Sequence, residues 1–355
     1  MNQEMRILER WASGLVPPPA EVQIYPTNAC NLRCVFCVTT TGFYRGQREV
    51  SKRRWLEVGA ELCELGSKGI LISGGGEPLL SSATLPLMRL FKQNGVSGRI
   101  ITNGTLWDEE RVRAAVEMQW DQITFSIDGP DADIHDRLRG VPGSFAKIES
   151  TLRLFRPFLE NGPRLEINLV LNRVNYRSIL RMVDLAAANG IAHLNLEPVC
   201  FNNPYVEHIR LGEQEREELQ SELLPPALER ATGYGLSTNI RALMDIRQVE
   251  KAGEMREFIL NRLDEPVPGR PLRELACYEP WLWPKIEANG DVWPCSTVPL
   301  GENILERSFT SIWDGEVFRE YRRRIMERDL PESCRNCVVS HLTSNSEIRK
   351  LMRGG

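Results

Sequence analysis

The feature that most constrains the fold of this chain is an alternation of two hydrophobic patterns between residues 20 and 200. Short apolar runs, which are typical of buried strands, alternate with segments whose apolar residues recur at helical spacing. The runs are Val22–Tyr25, Gly69–Ser73, Arg99–Thr102, Gln122–Ile127, Leu165–Leu171 and His193–Pro198. The helical segments lie at 51–66, 84–94, 108–118, 144–159 and 175–189. The alternation predicts an α/β protein with a parallel sheet covered by helices, and six strand–helix units favour a partial (β/α)6 TIM-like barrel.

Residues at the ends of the predicted helices support this assignment. Ser51, Asp108 and Ser144 are expected N-caps, because short polar side chains accept hydrogen bonds from the first free N–H groups of a helix. Gly95 and Gly190 stand where two of the helices are expected to end. In such sheets chemistry collects beyond the carboxyl ends of the strands, so residues in those loops are the first candidates for a site.

Changes in composition divide the chain into successive regions. They are an N-terminal extension over 1–20, the barrel over 21–200, a helical insertion or linker over 201–265, a cysteine-bearing domain over 266–345 and a tail over 346–355. Within the insertion we expect a charged amphipathic helix over 213–232 and a second charged helix over 245–263. Glu265–Pro271 is expected to be a linker. The insertion could cover the mouth of the barrel, form a solvated helical face or contribute a dimer contact.

Composition restricts the classes of partner. The chain has 355 residues, a net charge of −4 and no long apolar run, which gives no indication of a nucleic-acid or membrane partner. The first 14 residues are polar and lack the apolar core of a secretory signal, so we expect a cytoplasmic protein. Nine cysteines are many for that compartment, where disulfides are rare, and there are only four histidines. The cysteines are therefore expected to bind metal or to act in catalysis.

Three of the cysteines crowd into one loop. Cys30, Cys34 and Cys37 come directly after the first predicted strand. Three thiolates on a short loop can bind three irons of a [4Fe–4S] cubane, which leaves the fourth iron open to a small molecule. Zinc is the alternative, together with structural cysteines, but a closed structural zinc site needs four ligands and no fourth cysteine or histidine is nearby.

The spacing C-x3-C-x2-C after the first strand of a β/α barrel resembles the radical S-adenosylmethionine (SAM) superfamily. The resemblance covers about residues 20–200. It implies that the amine and carboxylate of SAM chelate the open iron and that an electron from the cluster breaks a carbon–sulfur bond. The resulting 5′-deoxyadenosyl radical would then abstract hydrogen from a substrate.

Four further segments resemble the SAM pocket of that family, each at the end of a predicted strand or just after it. They are Ser73–Pro78, Thr102–Thr105, Ser126–Gly129 and His135–Gly140. The resemblance implies a set of cofactor-binding residues, which comprises Phe36, Gly75, Gly76, Glu77, Thr102, Asn103, Ser126, Asp128, Arg139 and Asn168.

Several of these residues have a specific expected role. The Gly-Gly-Glu segment is expected to meet the SAM amino group through backbone carbonyls and Glu77. Ser126 and Asp128 could bond the ribose hydroxyls or the SAM carboxylate. Arg139 could pair with that carboxylate as a planar fork, and a surface arginine is an equal alternative. Phe36 could pack on adenine or in the core.

A second group of cysteines lies near the C-terminus. Cys277 is followed by twelve residues, Gly290, four residues and Cys295. Further along the chain come Cys334 and Cys337, with two residues between them. This pattern resembles the auxiliary-cluster extension called SPASM or, in its short form, Twitch. Position 343 is a threonine and the longer SPASM pattern stops there, which favours one auxiliary [4Fe–4S] cluster with four cysteine ligands. A four-cysteine zinc site is the alternative.

The sequence around this group is typical of a β-hairpin. Residues 283–295 contain an Asn289-Gly290 turn between two apolar stretches, and such a hairpin would bring Cys277 and Cys295 to one metal. A cluster with four protein ligands has no open position. It is therefore expected to transfer electrons and not to bind substrate.

The reaction is less constrained than the cofactor. The layout and the C-x17-C spacing resemble radical SAM dehydrogenases of aminocyclitol and aminoglycoside pathways, which implies antibiotic biosynthesis and oxidation of a carbinol to a ketone, with the electron passed to the auxiliary cluster. A peptide-modifying enzyme is the alternative, because most of the SPASM branch acts on peptides. Such enzymes often carry a docking domain before the barrel, and the 29 residues before Cys30 are too few for one. We therefore rank a small-molecule substrate first, with a flavodoxin- or ferredoxin-type reductant as partner.

Two residues are candidates for catalysis itself. Cys200, just past the sixth strand, could return hydrogen to a substrate radical and make the enzyme an epimerase, and a small buried apolar side chain is its alternative. Glu197, at the end of that strand, is the first candidate for the catalytic base, with a SAM contact or a structural carboxylate as alternatives. Asn172 could reach SAM or substrate, and Cys63 is expected in the core.

Overall fold

A ten-stranded sheet organises the molecule. The computed structural model describes residues 3–42, 46–199, 204–245, 263–264, 272–337 and 339–354. Its strands are β1 Glu21–Ile24, β2 Gly69–Ile72, β3 Ser97–Thr102, β4 Gln122–Ser126, β5 Arg164–Leu171, β6 His193–Pro198, β7 Ser237–Thr238, β8 Lys285–Ile286, β9 Asp291–Trp293 and β10 Glu302–Asn303. Their order across the sheet is β10-β9-β8-β1-β2-β3-β4-β5-β6-β7. Strands β1 to β7 pair in parallel, as predicted for a partial TIM-like barrel.

Two features of the sheet go beyond the prediction. Strand β7 adds two residues in parallel to β6, and it is too short to produce a recognisable pattern in the sequence. Strand β8 pairs in parallel with β1, with Gln23 opposite Lys285, while β9 and β10 continue the sheet antiparallel. The C-terminal hairpin is therefore part of the same sheet as the barrel.

Each of the five helical segments predicted for the barrel contains a helix, and the structure adds helices that the sequence analysis did not predict. They are α1 Gln3–Ala12, α2 Lys52–Leu65, α3 Thr84–Gln93, α4 Glu109–Glu117, α5 Ala132–Arg139, α6 Ser144–Phe155, α7 Ile179–Ala188, α8 Glu213–Glu218, α9 Leu224–Gly233, α10 Ile240–Asp245, α11 Glu279–Leu282, α12 Phe309–Trp313, α13 Glu316–Met326 and α14 Val339–Gly354. Within the described parts of the chain, no helix is both long and apolar enough to cross a bilayer.

Most of the predicted helix ends are confirmed. Ser51 and Asp108 accept hydrogen bonds from the third backbone N–H of α2 and α4, and Gly95 and Gly190 follow helix ends with φ of +68° and +66°. The prediction for Ser144 was wrong: it is the first residue of α6, and its hydroxyl donates to the carboxylate of Asp136 at 2.7 Å. The Asp136 carboxylate also accepts from the N–H groups of Gly143 and Phe145 at 2.6 and 2.8 Å, so it caps this helix end in place of a serine hydroxyl.

Side chains alternate across the barrel strands. Val22 and Ile24 of β1, like Leu165 and Ile167 of β5, belong to the main apolar core together with residues of the outer helices. Since neighbouring side chains of a strand point to opposite faces, the other residues face the barrel interior. That interior is polar, with side chains such as Gln23, Arg99, Thr124, Glu166, Asn168 and Asn195.

The insertion is only partly described. The predicted helix over 213–232 is present as α8 and α9, which are joined by a π-helical segment, Leu219–Leu223. The second predicted helix, over 245–263, and the linker Glu265–Pro271 fall almost entirely outside the described residues.

A second apolar core joins the two ends of the chain. Ile7 and Leu8 of α1 pack with Leu275, Trp281 and Ile325. Trp313 donates to the carbonyl of Pro17 at 2.9 Å, which fixes the segment after α1 in the same place. Part of the N-terminal extension therefore contributes to the core of the cysteine-bearing C-terminal region.

Candidate active site

The first cysteine group lies on the loop that follows β1, at the carboxyl edge of the parallel strands. Cys34 is buried, Cys37 is half-buried and Cys30 is exposed. The N–H of Cys37 donates to the carbonyl of Cys34 at 3.1 Å, which folds the loop into a tight turn. None of the described cysteines is in a disulfide. The loop thus presents its thiols at the edge where chemistry is expected.

Helix α5 holds this loop from one side. The N–H groups of Arg33 and Val35 donate to the carbonyls of Arg139 and Leu138 at 3.0 and 2.9 Å. Gly140, which ends the helix with φ of +69°, lies so close that a Cβ on it would stand 2.2 Å from the carbonyl oxygen of Arg33. The glycine is therefore required by the approach of the cysteine loop as well as by its left-handed backbone.

The glycine-rich loop after β2 holds the cysteine loop from the other side. The N–H groups of Gly76 and Glu77 donate to the carbonyls of Thr27 and Ala29 at 3.1 and 2.8 Å. A Cβ on Gly76 would stand 2.0 Å from the Ala29 oxygen. The expected close approach at this glycine thus occurs, and the backbone it approaches is the segment just before Cys30.

Glu77 is a buried carboxylate between two loops. It is 2% exposed and accepts hydrogen bonds from the hydroxyl of Thr102 at 2.7 Å and from the N–H groups of Asn103 and Leu79 at 2.7 and 3.2 Å. Burial raises the pKa of its carboxyl, against the three hydrogen bonds that lower it. Glu77 therefore links the loops after β2 and β3. These three hydrogen bonds occupy most of the acceptor positions of the carboxylate, which was expected to bind the SAM amine.

A ring of amides joins β3 to the cysteine loop. Asn103 donates to the side-chain oxygen of Asn31 at 2.8 Å, and Asn31 donates to the hydroxyl of Thr105 at 2.8 Å. The N–H of Thr105 closes the ring on Asn103 at 2.9 Å. Asn31 and Thr105 were not predicted as individual site residues. The position of Asn31 between two of the cysteines could have indicated that it belongs to the site.

A buried ion pair lies under Cys34. Asp128 is fully buried and Arg139 is 6% exposed, with 2.7 Å between Oδ2 and Nε in a contact that is not a well-directed hydrogen bond. Arg139 Nη1 also donates to Cys34 Sγ at 3.6 Å, and the N–H of Val170 donates to Asp128 Oδ1 at 2.8 Å. Burial works to lower the pKa of Arg139, but Asp128, Cys34 and Cys37 together raise the pKa of the guanidinium above its usual value.

This pair changes the expected roles of both residues. The alternative that Arg139 lies on the surface was wrong, because α5 directs the side chain inward. Its guanidinium pairs with Asp128 and Cys34 instead of standing open for the SAM carboxylate. Two residues that were not predicted support Asp128: His135 Nδ1 accepts from its N–H at 3.2 Å and Asn175 donates to its carbonyl at 2.9 Å.

Phe36 packs beside the same arginine. The Arg139 guanidinium lies 5.4 Å from the ring centroid. The ring also contacts an apolar cluster formed by Val199, Val206 and Ile209, beyond the end of β6. The structure therefore places Phe36 at the rim of the barrel, where contact with a bound adenine and packing in the cluster are both available.

The remaining candidates lie along the inner face of β4 to β6. Ser126 is opposite Asn168 in the register, and Asn195 donates to the Asn168 oxygen at 3.2 Å. Glu197 lies half-buried near the end of β6. Asn172 is buried and donates to the carbonyl of Val170, which gives it a structural role in the turn after β5. Cys200 lies outside the described residues, and Cys63 packs against the main core as predicted.

The second cysteine group lies in the apolar core that joins the chain ends. The predicted hairpin is present as β8 and β9, and Cys295 follows it. A turn brings Cys334 and Cys337 together, with the N–H of Cys337 donating to the carbonyl of Cys334 at 3.3 Å. Burial raises the pKa of the Cys277 thiol well above its usual range, and nearby Glu279, Cys295 and Cys337 raise it further. The thiols are therefore close enough to act on one another.

Both donor sets fit iron–sulfur clusters. The first provides three cysteine sulfurs and an exposed edge, as a cubane with one open iron requires. The second provides four cysteine sulfurs, three of them packed with the aromatic and aliphatic residues of its core, which suits a closed cluster.

The opposite edge of the barrel has a different character. A cavity of about 450 Å³ opens at the amino ends of β1 to β3 and is lined by residues including Glu21, Gln23 and Arg99. Glu21 and Arg99 close part of it with a 2.6 Å ion pair. No cysteine lines this cavity, so the thiol-based site belongs to the carboxyl edge.

Comparison with known families agrees with this layout. The model of the radical SAM superfamily matches residues 24–195. The model of the SPASM iron–sulfur cluster-binding domain matches residues 277–338. The first match includes all three cysteines of the loop after β1, and the second includes all four of the C-terminal group.

Similar proteins cover almost the whole chain. The PqqA peptide cyclase of Rhizobium meliloti is 26% identical over 90% of this chain and 80% of its own length. The AdoMet-dependent heme synthase of Methanosarcina barkeri is 25% identical over 91% of this chain and 89% of its own. Among solved structures, Streptococcus suis SuiB bound to S-adenosylmethionine aligns with a TM-score of 0.64 and 19% identity, over 88% of this chain and 70% of that one.

The expected likeness to aminocyclitol dehydrogenases is weaker. BtrN in complex with AdoMet and 2-DOIA aligns with a TM-score of only 0.44, so the expected resemblance is only weakly supported. The two family matches, the parallel barrel and the two cysteine groups agree with one another. The chain contains a radical SAM domain and a C-terminal SPASM domain, and it binds SAM on a [4Fe–4S] cluster and holds an auxiliary iron–sulfur cluster.

Proposed function

We propose that this radical SAM enzyme modifies a peptide substrate. The observation that carries the proposal is the likeness to PqqA peptide cyclases, which extends over 90% of the chain. Peptide modification was the alternative to a small-molecule dehydrogenase in the sequence analysis. It now ranks first, because PqqA peptide cyclases match 90% and 91% of the chain, whereas the likeness to aminocyclitol dehydrogenases is weak.

The residues around the first cysteine group would position the cofactor. With its cluster, SAM supplies the ability to remove a hydrogen atom from an unactivated carbon. The chain's part is to hold Cys30, Cys34 and Cys37 in one arrangement through α5 and the loop after β2. Ser126 and Asn168 lie next to each other on the inner face, where they can bond polar groups of SAM.

The barrel interior suits a peptide because its side chains offer both donors and acceptors. Asn168 and Asn195 are linked at 3.2 Å near the carboxyl edge, and Glu197 follows on the same face of β6. Amide groups of this kind can pair with the N–H and C=O groups of a backbone. Glu197 remains our candidate for the base. The C-terminal cysteines would pass an electron on, with a flavodoxin- or ferredoxin-type protein as the external reductant.

A direct test is to reconstitute the enzyme without oxygen and supply SAM, dithionite and synthetic peptides encoded by short reading frames beside its gene. We expect 5′-deoxyadenosine to form together with a peptide that has lost two hydrogen atoms, detected by mass spectrometry. A Cys34→Ala variant is the control for cluster-dependent turnover. The proposal fails if every peptide keeps its mass while another class of substrate is converted.

One observation favours a second candidate. The heme synthase of Methanosarcina barkeri matches 91% of this chain and 89% of its own length, a more even match than the peptide cyclase gives. A porphyrin is therefore the second substrate class. Adding iron coproporphyrin III to the same assay, followed by absorbance and mass, would detect this activity.

A further inference from the structure

One buried ammonium group organises a polar cluster beside the auxiliary cysteines. Lys285 and Glu287 are each 4% exposed, and Lys285 Nζ lies 2.6 Å from Glu287 Oε1. The same nitrogen donates to the carbonyl of Ser296 at 3.1 Å and lies 3.9 Å from the ring centroid of Trp293. We call these four residues, Lys285, Glu287, Trp293 and Ser296, the lysine cluster.

The lysine cluster faces the barrel interior. Ile286, between its two charged residues, belongs to the main core on the helix side of the sheet. Lys285 and Glu287 therefore point to the other face, which the parallel register with Gln23 identifies as the inner one. Lys285 Nζ also lies 5.2 Å from the ring centroid of Tyr25, the residue that follows β1.

This position is between the two cysteine groups. Tyr25 leads into the loop that carries Cys30, and Ser296 directly follows Cys295. The lysine cluster is thus connected along the chain to both cysteine groups. None of the roles assigned above to the cysteine loops uses the lysine cluster.

Three polar atoms of the cluster lack a partner. Glu287 Oε2, Trp293 Nε1 and Ser296 Oγ are buried and make no hydrogen bond to any described part of the chain. Lys285 Nζ, by contrast, has a carboxylate, a carbonyl and two rings around it. Buried polar groups are normally hydrogen-bonded, so three unpaired polar atoms around one ion pair call for an explanation.

The charges of the lysine cluster restrict which chemical group could pair with these three atoms. Lys285 and Glu287 neutralise each other, so the site has no net charge to attract an ion. An anion would meet the free carboxylate oxygen of Glu287, and a cation would meet the indole donor of Trp293. A neutral group that carries both a donor and an acceptor can pair with all three atoms, and the peptide amide is such a group.

We propose that the lysine cluster is a substrate subsite that holds one backbone amide. The amide N–H donates to Glu287 Oε2 and its carbonyl accepts from Trp293 Nε1, with Ser296 Oγ as a second donor. Lys285 is a positioning residue, because its own bonds are complete and it fixes the carboxylate. This inference rests on the proposed peptide substrate and names where that substrate is held.

The test compares two probes on the anaerobic holoenzyme: acetyl-trialanine methylamide, and its analogue in which an ester oxygen replaces the central N–H. Saturation-transfer NMR gives the affinity of each. We expect the amide to bind about tenfold more tightly, since the ester leaves a charged acceptor unpaired. Trp293→Phe keeps a ring over Lys285 but loses the donor, and it should weaken both probes several-fold.

Glu287→Gln makes the test sharper. Lys285 takes the amide oxygen of the new side chain, which turns its NH₂ group toward the open position and replaces an acceptor by a donor. The preference for amide over ester should then fall from about tenfold to about none. Glu21→Gln is the matched control, because Glu21 also faces the interior but both its oxygens are bonded to Arg99. It should keep the wild-type preference.

The outcomes separate the two proposals. If a peptide is converted in the activity assay but Glu287→Gln leaves the amide preference and the KM for that peptide unchanged, the subsite is overturned and the proposed function stands. If neither probe binds and no peptide is converted, both are overturned. If both probes bind equally to the wild type, Glu287 does not recognise the amide N–H and the subsite is again overturned. Iron content and thermal melting identify any variant that fails to fold.

Discussion

The two cysteine groups are built in opposite ways. The loop with Cys30, Cys34 and Cys37 is held by backbone hydrogen bonds, close glycine contacts and a buried ion pair, and its first thiol is exposed. The C-terminal group is enclosed by an apolar core that includes Tyr321, whose pKa burial raises strongly. The first arrangement keeps a rigid edge open to a ligand, and the second closes the site.

The buried cations of the two regions show the same contrast. Arg139 beside the first group has a carboxylate partner, Asp128. Arg322 near the second has no carboxylate within salt-bridge distance among the described residues; its Cζ lies 4.4 and 4.2 Å from the ring centroids of Trp11 and Trp313, and it donates to two carbonyls. The first site is organised by charge and the second by aromatic packing, and this difference can be tested directly.

The largest expected effect comes from removing one thiol in each region. Cys34→Ala should abolish SAM cleavage, because the loop then offers only two thiolates. Cys277→Ala should keep SAM cleavage but stop product formation. In each variant the iron content should fall from about eight to about four per chain. The comparison fails if Cys277→Ala loses SAM cleavage as completely as Cys34→Ala while its melting temperature is unchanged.

The next largest difference is expected in the stability lost when the same substitution is made at the two buried arginines. Arg139→Met leaves Asp128 buried without its partner, which should lower the free energy of unfolding by about 3–5 kcal/mol. Arg322→Met removes a cation that has no carboxylate partner and fills an aromatic shell, so the loss should stay under about 2 kcal/mol. Urea denaturation of the anaerobic proteins measures both. Equal losses would show that charge pairing does not distinguish the regions.

Two neighbouring glycines test the rigidity of the first loop. Gly140 and Gly143 have φ of +69° and +81°, so alanine costs about 1 kcal/mol of backbone strain at either. Only at Gly140 does a Cβ meet the chain, at 2.2 Å from Arg33. Gly140→Ala should therefore weaken SAM binding, measured by equilibrium dialysis, whereas Gly143→Ala should not. A matching loss in both variants would indicate backbone strain alone.

A final test concerns pH. Burial lowers the pKa of His135 from 6.5 to about 3, so below pH 6.5 the unfolded chain binds a proton that the folded chain does not. Stability should fall with falling pH in that range by up to about 1.4 kcal/mol per unit. His135→Asn keeps an acceptor for Asp128 and does not titrate, so its urea midpoint should depend less on pH. An unchanged slope would place the sensitivity elsewhere.

Much of this architecture could be predicted from the sequence because it depends on local period and spacing. Strands β1 to β6 and the caps Ser51 and Asp108 follow from apolar repeats and helix-end chemistry. The spacing of the cysteines defines both groups. Strand β7 was missed because two residues produce no period.

The partners of the site residues could not be predicted in the same way. The pairing of Asp128 with Arg139 and the ring from Asn103 to Asn31 join segments far apart in the chain. The motifs identified Asp128, Arg139 and Asn103 but assigned their polar groups to SAM, and the structure gives those groups partners within the chain. Lys285 has no motif at all, since its position depends on β8 joining the sheet next to β1.

The pairing of β8 with β1 has a consequence for any attempt to separate the two domains. A chain cut before the hairpin would leave the N–H and C=O groups of β1 at an open sheet edge, and such edges recruit other strands. It would also uncover the inner wall beside Tyr25. Variants that dissect this enzyme should therefore replace single cysteines and keep the hairpin, since the first strand of the barrel depends on it for its neighbour.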